Sequence, residues 1–270
     1  MRFRTVNDRN PRIRQAFGIP ILAFHKVDPR WEWGVTRVTP HRFASVVRYL
    51  ADNGYRTIPL ARAVDPEYEL PEKPVILTFD DAYDSIYEHA FPVLQEAGFT
   101  ATVFVITDYV GDLNTWDVNL GWLRFPHLGW DRIRELADAG FEFGSHTHRH
   151  PDLTRIPPER VRDELVVSKA VLEDRLAVPV QFVSYPFGRY NREVIRITRE
   201  SGYLNACAFW SRVYGDEEQF VFERNAYYLF DRVWNLRAKL GDNLLTRIET
   251  MKLKVINFCS HGTSLVKPSG

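Results

Sequence analysis

Two adjacent aspartates follow the apolar run that begins at Val75. Asp80 and Asp81 stand at the end of a predicted strand, where successive side chains point to opposite sides. One carboxylate could therefore bind a metal ion while the other stays free to act as a base. The alternative is structural, since Asp81 could instead cap the helix predicted to follow it.

Three histidines alternate just before Pro151. On a helical turn, His146 and His150 share one face and can chelate a borderline metal through imidazole nitrogens, while His148 points away. On a strand, all three would share one side and form a site of another kind. Pro151 favours the turn, and ordinary surface histidines are the alternative to a metal site.

Two further polar clusters follow apolar runs. The segment Pro186-Phe187-Gly188 is typical of a turn, which exposes backbone N–H groups that can stabilise an oxyanion. His261 follows a predicted strand at 254–258, where a lone histidine has a structural alternative. Each cluster is weak evidence alone, and their shared position at strand ends is what indicates an active site.

The elements that must position these clusters alternate along the chain. Predicted strands lie at 19–24, 75–79, 101–106, 141–143, 181–183, 204–208 and 254–258, and predicted helices at 41–53, 84–97, 130–139, 157–176, 190–201 and 231–248. Strands that alternate with helices imply a parallel sheet, and about seven such units favour an α/β barrel over an open sheet. A barrel collects the loops that follow its strands on one face, so the clusters should meet there.

Composition excludes several functions. The 270 residues carry 35 basic and 35 acidic side chains, so no net field steers the chain toward nucleic acid. Cys207 and Cys259 are too far apart for a Cys-x-x-Cys motif, which excludes a zinc ribbon and leaves a disulfide or two buried thiols open. The apolar stretch at 16–24 is too short to span a bilayer, so we expect no membrane insertion and a cytoplasmic location.

The chain divides into two predicted regions. Residues 1–18 form an arginine-rich arm, interpreted as solvated rather than as a phosphate or lipid contact. Residues 19–270 predict a single barrel domain, since barrels of this length are common.

Taken together, the motifs resemble the polysaccharide deacetylases, which carry the NodB homology domain of carbohydrate esterase family 4. The matching segments, in chain order, are Leu22 to Val27, Leu77 to Asp81, His146 to Pro151, Tyr185 to Gly188 and His261. The likeness spans roughly residues 19 to 264. It implies a distorted (β/α) barrel of about seven parallel strands, in agreement with the alternation of elements.

The resemblance also implies roles for these residues. Asp81, His146 and His150 would bind a divalent metal, most often zinc, with Co²⁺ or Ni²⁺ as alternatives. Asp80 would be the base that deprotonates water, the Phe187 backbone N–H would help to hold the oxyanion, and His261 would protonate the departing amine. The products would be acetate and a glucosamine-type sugar.

The sequence departs from the family pattern at several positions. Ser184 stands where many members have an arginine that holds the base, and Arg224 is a candidate substitute. Ala82 replaces a common glycine, Phe187 a tyrosine and Cys259 an apolar residue. Four aromatic or imidazole side chains could line a sugar site or simply pack: His25, Tyr83, Trp116 and Trp122.

Three functional hypotheses follow. The leading one is a metal-dependent N-deacetylase of an N-acetylhexosamine glycan or glycoconjugate, with a carbohydrate as its partner and an oligomeric state that the sequence does not predict. The second is hydrolysis of another acyl group at the same site, such as a formyl amide, an O-acetyl ester or a non-sugar amide. The third is a catalytically silent sugar-binding barrel, against which the intact Asp80, Asp81, His146, His150 and His261 argue.

Overall fold

The computed structural model describes residues 18–32, 35–115, 123–209 and 220–241. Almost all of the predicted arm, the predicted strand at 254–258, and Trp116, Trp122, Cys259 and His261 lie outside these residues. The strands are β1 (Ile21–Phe24), β2 (Lys26–Val27), β3 (Arg37–Val38), β4 (Arg56–Thr57), β5 (Pro74–Phe79), β6 (Thr102–Val105), β7 (Glu142–Ser145), β8 (Phe182–Ser184), β9 (Asn205–Ala208), β10 (Val221–Glu223) and β11 (Asn225–Ala226).

The main sheet is a parallel, nearly closed barrel. Its strand order is β10-β9-β8-β7-β6-β5-β1-β11, and every neighbouring pair along this path is parallel. The two ends of the path, β10 and β11, are separated in the chain by one residue, Arg224. The segment 221–226 therefore joins β9 to β1 and closes the barrel, which confirms the predicted (β/α) architecture.

Short buried runs form the strands because both faces of a barrel wall are covered. Alternate residues on neighbouring strands meet inside the barrel, where Ile76, Phe104, Phe182, Cys207 and Phe222 share one apolar cluster. The residues between them, such as Leu77 and Val103, contact the surrounding helices instead. Asp80 continues the inward series of Ile76 and Thr78, so its carboxylate enters the barrel at the carboxyl end of β5.

The helices that cover the barrel are α1 (Pro40–Asp52), α2 (Leu60–Val64), α3 (Phe91–Glu96), α4 (Trp130–Asp138), α5 (Pro158–Leu176), α6 (Arg192–Glu200) and α7 (Val233–Lys239). Helix α1 begins as the sequence indicates: the Thr39 side chain accepts the Arg42 N–H and Pro40 occupies the first turn. Within the described ranges, none of the helices is long and apolar enough to cross a membrane.

Several elements differ from the sequence prediction, and the short β2, β3, β4 and α2 have no predicted counterpart. The helix expected at 84–97 is divided into a π-helical turn at Ile86–Ala90 and α3, with Pro92 in the first turn of α3, where its missing N–H costs least. Strands β10 and β11 are absent from the sequence prediction, because Arg224 interrupts the apolar pattern between them. The last of these differences adjoins the site described below, since Arg224 lies between β10 and β11.

Candidate active site

The polar clusters that lie within the described residues meet at one rim of the barrel, as expected for loops that follow parallel strands, while the predicted cluster at His261 lies outside those residues. Asp80 and Asp81 follow β5, His146 follows β7, and Arg224 lies between β10 and β11. His25 follows β1 and faces the same rim. Strands far apart in sequence thus supply side chains to one small volume.

Asp80 is held by a buried guanidinium. Arg224 donates from Nη1 to Asp80 Oδ1 at 2.8 Å and from Nη2 to Oδ2 at 2.7 Å. Arg224 also donates to the hydroxyls of Thr78 at 3.1 Å and Ser184 at 2.8 Å. Burial alone would raise the pKa of Asp80, but the neighbouring charges, Arg224 foremost, more than offset it and hold that pKa below its ordinary value. The carboxylate is therefore ionised at neutral pH.

Asp81, His146 and His150 bring three ligand-type atoms together. Asp81 Oδ1 lies 3.4 Å from His146 Nε2 and 3.8 Å from His150 Nε2, and all three side chains are buried. Ligand bonds of about 2.1 Å at tetrahedral angles place ligand atoms about 3.4 Å apart, close to this spacing. Asp81 Oδ1 is also a buried oxygen that has no hydrogen-bond partner among the described residues, and a cation would satisfy it. The donor set therefore fits a divalent metal.

Neighbouring backbone groups orient the two imidazoles. His146 Nδ1 donates to the Ser184 carbonyl at 2.8 Å, which leaves the Nε2 lone pair facing Asp81. The His150 N–H donates to the Thr147 hydroxyl at 3.0 Å, which fixes the turn between the histidines. The backbone between the histidines is neither helix nor strand. His146 and His150 still lie together, but through neither of the two regular geometries considered from the sequence. His148 does point away and contacts the Thr107 hydroxyl at 2.9 Å.

Left-handed backbone is concentrated at this site. Asp81, Ala82, Thr147, His150 and Phe187 all have φ between 53° and 68°, although none of them is glycine. Each such residue costs on the order of 1 kcal/mol and persists only where its surroundings hold it. The rim thus carries strain that the rest of the barrel stabilises.

Phe187 lies against the metal-type cluster. Its ring packs on the His150 ring with centroids 4.7 Å apart, in the turn at Pro186–Gly188. Gly188 has φ of +64°, and a Cβ there would approach the Phe209 backbone nitrogen to 3.2 Å. The predicted oxyanion donor, the Phe187 N–H, is therefore on a closely packed turn beside His150.

The sequence alone suggests only that His25 lines a sugar site or packs. It does not indicate that His25 lies beside Asp80. Its Nε2 lies 4.0 Å from Asp80 Oδ2, and its ring stacks on Phe209. Burial lowers the pKa of His25 below its ordinary value despite the nearby carboxylates of Asp81 and Asp80. The signal that could have found it is the one used for the other clusters, a polar side chain directly after a buried strand.

Comparisons with known proteins agree with this geometry. A family model described as polysaccharide deacetylase matches residues 67–206. The Bacillus subtilis (strain 168) protein YxkH, named as a polysaccharide deacetylase, is 30% identical over 188 residues, which are 68% of this chain and 62% of that protein. The Staphylococcus epidermidis (strain RP62A) poly-β-1,6-N-acetyl-D-glucosamine N-deacetylase is 26% identical over 176 residues, 61% of this chain and 58% of that protein. The chain thus spans about three fifths of the length of these relatives.

A solved structure shares the fold as well. A polysaccharide deacetylase from Bacillus cereus superposes with a TM-score of 0.69 at 27% identity, over 83% of this chain and 69% of that chain. The family model covers half of the sequence and includes Asp80 and all three members of the ligand-type cluster, Asp81, His146 and His150. The parallel barrel, the rim cluster and these matches together show that the chain belongs to the polysaccharide deacetylase family.

Proposed function

We propose that this protein is a metal-dependent hydrolase that removes N-acetyl groups from an N-acetylhexosamine-containing glycan or glycoconjugate. One observation carries the proposal: the three ligand-type side chains of Asp81, His146 and His150 face one another beside Asp80, a carboxylate that Arg224 keeps ionised. A catalytic metal site needs few protein ligands, so that positions stay open, and a base nearby. The name of the Staphylococcus epidermidis relative supports an N-acetyl sugar as substrate.

Zinc is the metal proposed, with Co²⁺ or Ni²⁺ as alternatives, because two imidazoles and one carboxylate suit it. When bound, such an ion supplies a Lewis acid that polarises the acyl carbonyl and makes a water molecule more acidic. Asp80 would accept the proton of the attacking water on a carboxylate oxygen. Each of its oxygens takes a hydrogen bond from Arg224 and retains a second lone pair for this purpose.

The remaining roles belong to the neighbouring loops. The Phe187 N–H is proposed to donate to the oxyanion that forms at the acyl carbon. His25 is proposed to take the water proton from Asp80 on Nε2 and to pass it to the departing amine, because its Nε2 lies 4.0 Å from Asp80 Oδ2. His261 is the residue that the family resemblance implies for the same step, so the two histidines are competing assignments.

The first test is release of acetate from N-acetylglucosamine oligomers, with added zinc and with a chelator. Chelator-sensitive release is expected. Acetylated xylan and an N-formylated sugar, tested in parallel, identify hydrolysis of another acyl group. Zinc binding without release from any of these substrates would favour the silent sugar-binding barrel.

Variants within one loop separate metal binding from folding. His146→Ala should lose both zinc and turnover, because it removes a ligand. His148→Ala is the matched control and should keep both, since His148 contacts Thr107 and Asp108 outside the cluster. Asp80→Asn should keep zinc and lose turnover. Full activity in Asp80→Asn or in His146→Ala would overturn the assignment.

The proton donor is assigned by comparing His25→Gln with His261→Gln. The variant of the true donor should lose about 100-fold or more in kcat, with its zinc content unchanged. Loss in His25→Gln alone supports the role proposed from its position beside Asp80. Loss in His261→Gln alone would transfer the role to His261.

A further inference from the structure

The loop that carries the proposed metal ligand Asp81 has an unusual backbone. Asp81 has φ of 68° and Ala82 has φ of 53°, so two consecutive residues with Cβ atoms are left-handed. Neither residue adopts this conformation at low cost, and the cost of the pair is on the order of 2 kcal/mol. The chain by itself would relax to a right-handed or extended backbone. Some other part of the molecule must therefore hold the turn.

The segment 126–128 holds the turn from outside the barrel. The Leu128 N–H donates to the Ala82 carbonyl at 2.8 Å, and the Asp84 N–H donates to the Pro126 carbonyl at 2.8 Å. Between these two backbone bonds, His127 Nδ1 lies 2.6 Å from the Asp81 carbonyl oxygen. Because a carbonyl only accepts, the imidazole carries its proton on Nδ1 and donates it.

The His127 ring is itself fixed before it meets Asp81. It is 3% exposed and stacks on the Tyr83 ring with centroids 4.9 Å apart. Its backbone N–H donates to the Asp112 carbonyl at 2.9 Å. A buried ring held in this way offers a donor at a set position, so that the Asp81 carbonyl loses a hydrogen bond if the turn changes its hand.

The Asp81 carbonyl and carboxylate share one residue, and rotation of its backbone moves both. While the carbonyl is bound to His127, the carboxylate stays 3.4 Å from His146 Nε2. Rotation to a right-handed backbone would direct it elsewhere and leave two histidines as the only ligands. The hydrogen bond from His127 to the Asp81 carbonyl therefore also constrains where the Asp81 carboxylate lies.

We propose that His127 is a positioning residue that holds Asp81 in its ligand conformation and so sets the affinity of the site for a divalent cation. The inference rests on the proposed function only in requiring that Asp81, His146 and His150 bind such a cation. His127 touches neither the cation nor the substrate. Its effect is expected on metal affinity first, and on kcat only through metal occupancy.

The test compares His127→Phe with His127→Asn, using zinc alone and competition with a chelator. His127→Phe keeps an aromatic ring for stacking on Tyr83 but removes the donor, so zinc should bind about 10–100-fold more weakly, as for other groups that orient metal ligands. His127→Asn offers a side-chain N–H close to the position of Nδ1, and its affinity should return to within a few-fold of the original. Equal zinc affinity in His127→Phe and the original protein would overturn the proposal.

A matched control separates the hydrogen bond between His127 and Asp81 from the general stability of the segment around it. Asn114→Ala removes the acceptor of the Phe125 N–H, a 2.7 Å bond, and leaves His127 in place. Its Tm should fall while its zinc affinity stays within about 3-fold. A loss of affinity equal to that of His127→Phe would show that His127 acts only through the segment.

Zinc affinity is measured without substrate, so the two proposals can fail separately. If the unmodified protein binds zinc but releases no acetate, the proposed reaction is contradicted and the positioning role of His127 is not. An original protein that binds no divalent cation would overturn both.

Discussion

Asp80 and Arg224 form an ion pair inside the barrel, and their side chains are 1% and 0% exposed. Burying two charges costs several kcal/mol each, which the bidentate contact and the hydroxyls of Thr78 and Ser184 offset. The pair is therefore poor as a source of stability and valuable for fixing the carboxylate. Its two members depend on each other.

We expect Arg224→Met to lower the free energy of unfolding by about 3–5 kcal/mol at pH 7, because Asp80 becomes an unpaired buried charge. The double variant Asp80→Asn/Arg224→Met should recover most of that loss. Urea unfolding of the original protein and the variants gives the coupling between the two positions. Arg134→Met, at an exposed pair with Asp131, is the control and should change stability by less than about 1 kcal/mol. Simple additivity of the Asp80 and Arg224 substitutions would contradict the pairing.

From their own surroundings in the sequence, residues of the site are predictable where a short motif contains them, whereas Arg224 is nominated only through the family resemblance. Asp80 and Asp81, and likewise His146 and His150, are close in sequence and directly follow a strand, so their types and spacing are sufficient to nominate them. The contact of Arg224 with Asp80 spans 144 residues and exists only because the barrel closes. His127 cannot be nominated in this way, since nothing in its sequence neighbourhood indicates that it meets the Asp81 carbonyl.

At the scale of elements, β7 passes closer to its neighbours than a side chain would allow. A Cβ at Gly144 would lie 2.6 Å from Phe104 Cε1 and 3.0 Å from the Phe182 carbonyl oxygen. The carbonyl belongs to the adjacent strand and cannot move without disturbing the sheet. Gly144 therefore sets the path of the strand that leads to His146.

Gly144→Ala should accordingly lower the free energy of unfolding by about 1–3 kcal/mol, the usual cost of overpacking. It should also weaken zinc binding, since His146 lies two residues further on. Gly129→Ala is the control because a Cβ at Gly129 would meet no described atom within 4 Å beyond its chain neighbours, and its cost should be under about 1 kcal/mol. The urea midpoints of Gly144→Ala and Gly129→Ala are compared, and equal midpoints would contradict the steric clash at Gly144.

Helix α2 is tied to the barrel by a partly buried acid. Glu142, the first residue of β7, accepts the N–H groups of Leu60 at 2.8 Å and Ala61 at 3.0 Å and the Thr102 hydroxyl at 2.6 Å. Burial raises the pKa of Glu142 to about 7, against which the three donors work only in part. A raised carboxyl pKa means that the folded state holds a proton that the unfolded chain releases.

The stability contribution of Glu142 should therefore fall as the pH rises from about 4.5 to about 7. The loss is bounded at about 3 kcal/mol by the difference between the two pKa values. Glu142→Gln cannot ionise, so its free energy of unfolding, minus that of the original protein, should increase across this interval. Urea unfolding at several pH values measures the difference. Parallel profiles would show that Glu142 keeps an ordinary pKa.

The strands of the barrel are predictable in proportion to the length of their apolar runs. The runs that form β1, β5, β6 and β9 are continuous and buried, and each is found from the sequence. The closing segment 221–226 has a short apolar start, an exposed Glu223 and the buried Arg224, so no period of two is visible. Its strand character comes from pairing with β9 and β1 and not from its own residues.

For the molecule as a whole, a metal that joins β5 to the loop after β7 should stabilise the fold. Zinc at about 100 times its Kd would add about 2.7 kcal/mol and raise the Tm by about 5–10 °C. His148→Ala should show the same rise and His146→Ala should show none. Thermal unfolding with and without zinc makes the comparison, and a rise in His146→Ala would place the ion elsewhere.

The barrel architecture is predictable as a whole because strand and helix patterns alternate from end to end. The alternation does not show which segment closes the barrel. The last strand that it predicts, 254–258, lies outside the described residues. The closing segment matters for the site because Arg224, which aligns Asp80, lies between β10 and β11, the strands at the two ends of the sheet.

This position in the chain has a consequence for biosynthesis. A ribosome that has translated Asp80 must add 144 further residues before Arg224 exists. Until segment 221–226 has emerged and paired with both β9 and β1, the carboxylate lacks the Arg224 guanidinium and the wall of the barrel is open. The aligned carboxylate thus exists only after segment 221–226 has docked, so a chain that ends before Arg224 carries Asp80 without the geometry that the proposed hydrolysis requires.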